Sequence, residues 1–163
     1  MMVDHHFQKS GQPVIGVAGA TGRIGRHLGK WLLVKPVHVK ELTCDSNSER
    51  LPRGLDRVLV DFDDPETLAK APEATDRLQG ASPHQARNEV ALIDAAVSAS
   101  VSHFVKVSAM RPPTRLHAFD RHMQIEAHLV TNDIGYTVLR AILARVATWL
   151  RSAASRRSAD ATL

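Results

Sequence analysis

Along this chain, short runs of apolar residues alternate with stretches in which apolar positions recur every three or four residues. The alternation continues from residue 14 to about residue 140. A strand-length run followed by a helical period, repeated several times, predicts an α/β protein with a doubly wound, Rossmann-like parallel sheet. The first strand is expected over Val14 to Ala18. Ile24, Leu28, Trp31 and Leu32 then fall at i, i+4, i+7 and i+8, predicting a helix with one face on the sheet. Pro36 stops that helix. Further strands are expected near Val37 to Thr43 and Arg57 to Val60. The segment Asp61-Phe62-Asp63-Asp64-Pro65 and a short helix from Glu66 to Ala71 follow.

The fourth strand is the anomaly. It belongs in the middle of a doubly wound sheet, where a buried parallel strand reads as a nearly continuous apolar run. Ala74 to Ala81 instead offers only Leu78 as a large apolar residue. After it the pattern recovers. A helix is expected over Gln85 to Ser100, with Val90, Ile93 and Val97 in line, and a strand over His103 to Ser108. The prolines of Arg111-Pro-Pro-Thr114 keep that stretch out of helix. A helix from about Ala118 to Thr131 and a sixth strand over Tyr136 to Leu139 complete the series. Beyond them Ile142, Leu143, Val146, Trp149 and Leu150 share one face of a further helix. That face is expected to pack on the flank of its own chain, with a homodimer as the alternative. Ser152 to Leu163 reads as a frayed basic end.

Size and composition narrow the field. A chain of 163 residues with 44% hydrophobic residues is one globular domain with a buried core. The expected division is a mobile start at 1–12, a nucleotide-binding domain at 13–140 and a helix with a basic tail at 141–163. The formal charge of +4 raises the question of a nucleic-acid partner, but aromatics are only 4%. Single-strand binders stack bases on aromatic rings, and many arginines fall late (Arg140, Arg145, Arg151, Arg156, Arg157) on what reads as a solvated end. Nucleic acid is therefore not the expected partner. Cys44, the single cysteine, excludes an internal disulfide. No apolar run is long enough to span a membrane and no signal-peptide core opens the chain, so the cytoplasm is the expected compartment. His5 and His6 have no partnering cysteine or acidic cluster, and no metal site is expected.

The chemistry is concentrated in Val14-Ile-Gly-Val-Ala-Gly-Ala-Thr-Gly-Arg-Ile-Gly25. A strand that passes through Gly19, Gly22 and Gly25 into a helix brings backbone N–H groups and a positive helix end to one point, which suits a diphosphate. Gly19 serves the tight turn, Gly22 the approach of the diphosphate, and Gly25 close packing of the helix. Thr21 and the N–H groups of Arg23 and Ile24 are the candidate phosphate donors. The guanidinium of Arg23 is also placed to meet a 2′-phosphate.

At Gly19-Ala-Thr-Gly-Arg-Ile-Gly25 the chain resembles the NmrA-like branch of the atypical short-chain dehydrogenases/reductases. Further segments agree in the same order: Asp61-Phe62, the Ala95-Ala96 helix leading into Val101 to Ala109, the helix Arg121 to Leu129, and Gly135-Tyr-Thr-Val-Leu-Arg140. The likeness runs from residue 13 to about 140. It implies a bound dinucleotide, with the carboxylate of Asp61 accepting from the adenine amine and the backbone at Phe62 holding the ring. Asp45, about 20 residues past the glycines, is the expected ribose ligand and favours NAD. Many NADP-preferring relatives carry arginine just before that position, where this chain has Cys44. Arg23 and Arg50 tip the expectation towards NADP.

The resemblance also implies an oxidoreductase passing hydride from NAD(P)H to a small carbonyl or quinone-like acceptor. The family's Tyr-x-x-x-Lys pair is missing, however: the one tyrosine, Tyr136, opens the sixth strand. His122 and Glu126, four apart on a helix, are the candidate proton-transfer couple. Ser108 stands at the strand end where open α/β sheets bind ligands. Relatives continue past the sixth strand into a substrate-binding region, and their proline after Leu139-Arg140 is Ala141 here. A non-catalytic dinucleotide sensor and an inactive remnant therefore stand beside the enzyme reading.

Overall fold

The computed structural model describes residues 11–44, 55–80, 86–109 and 117–141. The elements are β1 (Val14–Ala18), α1 (Arg23–Leu32), β2 (His38–Thr43), β3 (Asp56–Leu59), α2 (Pro65–Lys70), β4 (Arg77–Gly80), α3 (Ala86–Ser98), β5 (His103–Ala109), α4 (His117–Val130) and β6 (Gly135–Ala141). All pairings are parallel, in the order β3-β2-β1-β4-β5-β6. This is the doubly wound Rossmann-like α/β sheet that the alternating periods predict.

Strand order dictates which helix covers which face. Right-handed crossovers place the β1–β2 connection on one side of the sheet, and those of the oppositely running half on the other. Accordingly α1 packs Leu28 and Leu32 on Val17 and Val39. On the opposite face Leu68 of α2, Leu92 and Ile93 of α3 and Ile125 and Leu129 of α4 close over Leu42, Leu78 and Phe104.

One expectation needs revision. The apolar stripe of α1 is only half used: Leu28 and Leu32 pack inwards, while Ile24 is 50% and Trp31 67% exposed. The residues of α1 that are fully buried are Gly25 and Gly29. A glycine face lets the helix backbone approach the sheet more closely than an apolar face would, which rotates Ile24 and Trp31 outwards. Lys35 Nζ then sits 4.5 Å from the Trp31 ring centroid. The anomalous β4 is central as expected; it is four residues long, polar in sequence, and buried at Leu78, Gln79 and Gly80. Neighbours supply the apolar volume: a β-carbon at Gly80 would lie 2.7 Å from Phe104 Cε1. The Pro112-Pro113 loop and the segments 142–150 and 152–163 lie outside the described residues. Among the described residues no helix is long and apolar enough to cross a membrane.

Charged residues also enter the interior. Lys106 of β5 and Glu89 of α3 are both fully buried. Lys106 Nζ donates to Glu89 Oε2 at 2.9 Å and to the Val107 carbonyl at 2.7 Å. Removing one member of such a pair leaves an uncompensated buried charge. Lys106→Met should therefore cost about 3–5 kcal/mol in chemical denaturation, with Lys106→Met/Glu89→Leu recovering much of it. Glu41 lies on β2 beneath α1, with both carboxylate oxygens buried and unpartnered. Burial, opposed in part by Arg57, pushes its carboxyl above the ordinary 4.5. The folded state thus binds the proton more tightly than the unfolded chain. The associated stability is complete below pH 4.5 and is lost as pH rises through the higher folded value. Glu41→Gln should flatten that loss in urea unfolding measured across a pH series. Parallel curves for the two proteins would contradict a buried, unpaired carboxyl.

Candidate dinucleotide site

The turn between β1 and α1 is built by backbone. Gly19 adopts φ 69°, a conformation that side chains disfavour. Its carbonyl accepts from the Gly22 N–H at 2.9 Å. Gly22 is the extended N-cap of α1 and brings no side chain to cap the helix, and no acidic residue stands in the first turn. The leading N–H groups of any helix lack intrahelical acceptors, so those of Arg23 and Ile24 remain available to an anion. Contrast α2, where the side chain of Asp64 accepts from Glu66 N–H at 2.9 Å and Glu66 adds a negative charge. The chain caps one helix with carboxylates and leaves the other positive. A β-carbon at Gly25 would press on the Gly19 carbonyl oxygen and lie 2.6 Å from Ala20 Cα. The close packing expected of Gly25 is thus contact between α1 and the turn itself. Thr21 is half-buried beside the turn, and Arg23 is exposed at its lip.

At the β2–β3 edge an open cleft of about 400 Å³ is lined by Cys44, Leu59, Val60, Asp61 and Thr67. Asp61 lies two residues past the end of β3. Its N–H donates to Thr67 Oγ1 at 3.0 Å, and its Oδ1 accepts from the Asp63 N–H at 2.9 Å. Phe62 turns its ring into the main core. Phe62 is not among the residues that line the cleft. Burial, and then the nearby Asp61 carboxylate, push the Cys44 thiol up, so it stays neutral. Asp45 and Arg50 lie outside the described residues.

The opposite half of the sheet edge holds Ser108 and His122. Ser108 is 4% exposed and donates to Glu126 Oε1 at 2.5 Å. Arg140 Nη2 donates to Glu126 Oε2 at 2.5 Å. Burial alone would raise the Glu126 carboxyl, but the Ser108 hydrogen bond and the Arg140 guanidinium outweigh it and hold it below its ordinary value. His122 is half-buried one turn away, with Nδ1 unpartnered. Burial and the positive charges of Lys106 and Arg121 lower its pKa against the pull of Glu126, so the ring is neutral at pH 7.

The expected His122–Glu126 couple is thus not formed by a hydrogen bond. The reason is register: β5 and β6 pair Ser108 with Arg140. Both side chains lie on the α4 side of the sheet, and between them they occupy the two oxygens of Glu126. Tyr136 pairs with Phe104, towards the other end of the strands from Ser108. The Arg140–Glu126–Ser108 chain and the Lys106–Glu89 pair escape a reading by periodicity. The one available signal was a polar side chain inside a strand that should be wholly apolar, as at Lys106 and Gln79.

A reversed strand order, a glycine turn and an uncapped helix end at the reversal define a nucleotide-binding α/β domain. The family model of NAD(P)H-binding domains matches residues 19–144, and the chain belongs to that family. No curated protein sequence matches it. Among solved structures it is similar to an NADPH-dependent quinone oxidoreductase from Escherichia coli, with 25% identity and a TM-score of 0.69 over 78% of this chain and 46% of that one. It is equally similar to the triphenylmethane reductase of a Citrobacter species complexed with NADP(H), with 25% identity and a TM-score of 0.69 over 77% of this chain and 48% of that one. A short-chain dehydrogenase/reductase from Veillonella parvula in complex with NADP shares the fold at 17% identity and a TM-score of 0.69, over 78% of this chain and 68% of that one. The chain thus spans about half the length of the two reductases.

The cradle can be tested at Gly25. Gly25→Ala should displace the turn, cost about 1–3 kcal/mol of stability and weaken dinucleotide binding at least about tenfold. Gly11→Ala, at a glycine with open space around it, should change neither melting nor titration.

Proposed function

We propose that this NAD(P)H-binding domain is of the NmrA-like type, prefers NADP over NAD, and serves hydride transfer to a small carbonyl or quinone-like acceptor in the cytoplasm. The observation that carries the reading is the uncapped, positive start of α1, framed by Gly19, Gly22 and Gly25. It is supported by the likeness to two reductases, one NADPH-dependent and one complexed with NADP(H). Thr21 and the N–H groups of Arg23 and Ile24 hold the diphosphate. Asp61 and the backbone at Phe62 hold adenine at the β2–β3 edge. Asp45 meets the ribose, and Arg23 takes a 2′-phosphate in a bidentate fork.

When bound, the reduced dinucleotide supplies the hydride. The residues at the β5 end then divide the remaining work. Ser108 donates its hydroxyl hydrogen bond to Glu126, so towards a ligand it offers lone pairs and accepts from a bound carboxamide or hydroxyl. His122, with a neutral ring, hydrogen-bonds the acceptor oxygen through its N–H, and water supplies the proton that this oxygen gains as its carbon gains hydride. A second reading, a dinucleotide-binding module without turnover, is favoured by the commitment of the Ser108 proton together with the missing Tyr–Lys pair.

A melting scan separates these readings. NADPH at 100 times its Kd should stabilise the native state by about 2.7 kcal/mol, NADH less, and Gly22→Asp should abolish the effect. Stopped-flow oxidation of NADPH against a quinone panel then divides enzyme from module, with loss of turnover in His122→Ala expected for the enzyme. A midpoint unmoved by either dinucleotide would defeat both readings.

A further inference from the structure

Gln79 is 5% exposed, and neither its amide nitrogen nor its amide oxygen has a hydrogen-bond partner. Such a side chain is costly to bury, since it has left water without replacing the bonds it made there. A leucine in the same place would carry no such cost, and a central parallel strand would ordinarily supply one. The polar character of β4 is therefore concentrated in one residue with no evident use in the folded protein alone.

Its place suggests the use. Gln79 is the penultimate residue of β4 and pairs with Val17 of β1 and Val105 of β5. Val17 packs with Leu28 and Leu32 of α1, so Gln79 shares the sheet face that α1 covers. One residue past Val17 the strand ends at Ala18 and the chain enters the Gly19 turn. Here β1 and β4 are neighbours and the strand order reverses, where open α/β sheets take their ligands.

We propose that Gln79 is a ligand-binding residue whose amide is completed by the nicotinamide–ribose half of the dinucleotide. The assignment rests on the dinucleotide reading above and deepens it. The path of the ligand selects the half. With adenine in the Asp61 cleft beside β2 and β3 and the diphosphate at the start of α1, the remaining half crosses to the β4 side of the reversal. A carboxamide or a ribose cis-diol offers a donor and an acceptor together, which is what an unpaired amide lacks.

The test is calorimetric titration of the full chain and of Gln79→Leu and Gln79→Met. NADPH is compared with adenosine 2′,5′-diphosphate, which lacks the nicotinamide half. Both variants should melt above the parent without ligand and bind NADPH about tenfold more weakly, the scale of one or two lost hydrogen bonds. Their affinity for the fragment should be unchanged. Undiminished NADPH affinity in a folded variant, a parallel loss for the fragment, or no gain in unliganded melting would each overturn the assignment. So would failure of both variants to fold, since the amide would then be needed by the fold itself. If the parent bound NADPH and the variants did so equally, only Gln79 would be at fault. If the parent bound neither ligand, the dinucleotide reading would fall with it.

Discussion

The contact between Gly25 and the carbonyl of Gly19 governs much of this molecule. Helix α1 begins so close to the end of β1 that a single added carbon at residue 25 would meet the turn's backbone. That closeness leaves the first N–H groups of α1 directly above the strand end, with no side chain placed to cap them. It also settles how α1 lies on the sheet. The helix descends on Gly25 and Gly29, and its larger apolar residues are divided between the sheet and the surface. The uncapped start of α1 and the orientation of the helix thus follow from one steric condition.

Away from the turn, buried polar groups are arranged by sheet register. Ser108 and Arg140 are opposite each other on β5 and β6 and meet on Glu126. Lys106, two residues earlier on the same face, meets Glu89. Each of these carboxylates gains a positive partner, which is the condition under which charge tolerates burial. On the face covered by α1, Glu41 and Gln79 flank Val17 from the strands on either side, and neither side chain is hydrogen-bonded. On one face the buried carboxylates Glu89 and Glu126 have cationic partners, and on the other Glu41 and Gln79 have no hydrogen-bond partner.

Much of the architecture was legible in the chain itself. The bounds of β1 agree with the structure, and the other strands and α2 to α4 fall within a few residues of expectation, because apolar periodicity and glycine or proline punctuation are local properties. The glycine turn was equally legible. Less so were the exposure of Ile24 and Trp31 and the packing of β4. An apolar stripe predicts contact only when nothing smaller lets the helix come closer on another face. The packing of β4 was hidden because the apolar volume around it comes from neighbours such as Phe104.

The sequence by itself determined the order of elements, the Rossmann-like class and the location of the glycine turn, all of which depend on residues adjacent in the chain. Only the tertiary structure decided which side chains share a site. Ser108, Glu126 and Arg140 come from three different elements, and their meeting depends on which residue of β5 lies opposite which residue of β6. The same holds for Gln79, whose isolation is a fact about strands β1 and β5 as much as about β4. Hydrogen-bond partners of buried groups are set by non-local pairing in three dimensions, and no periodicity along one segment encodes them.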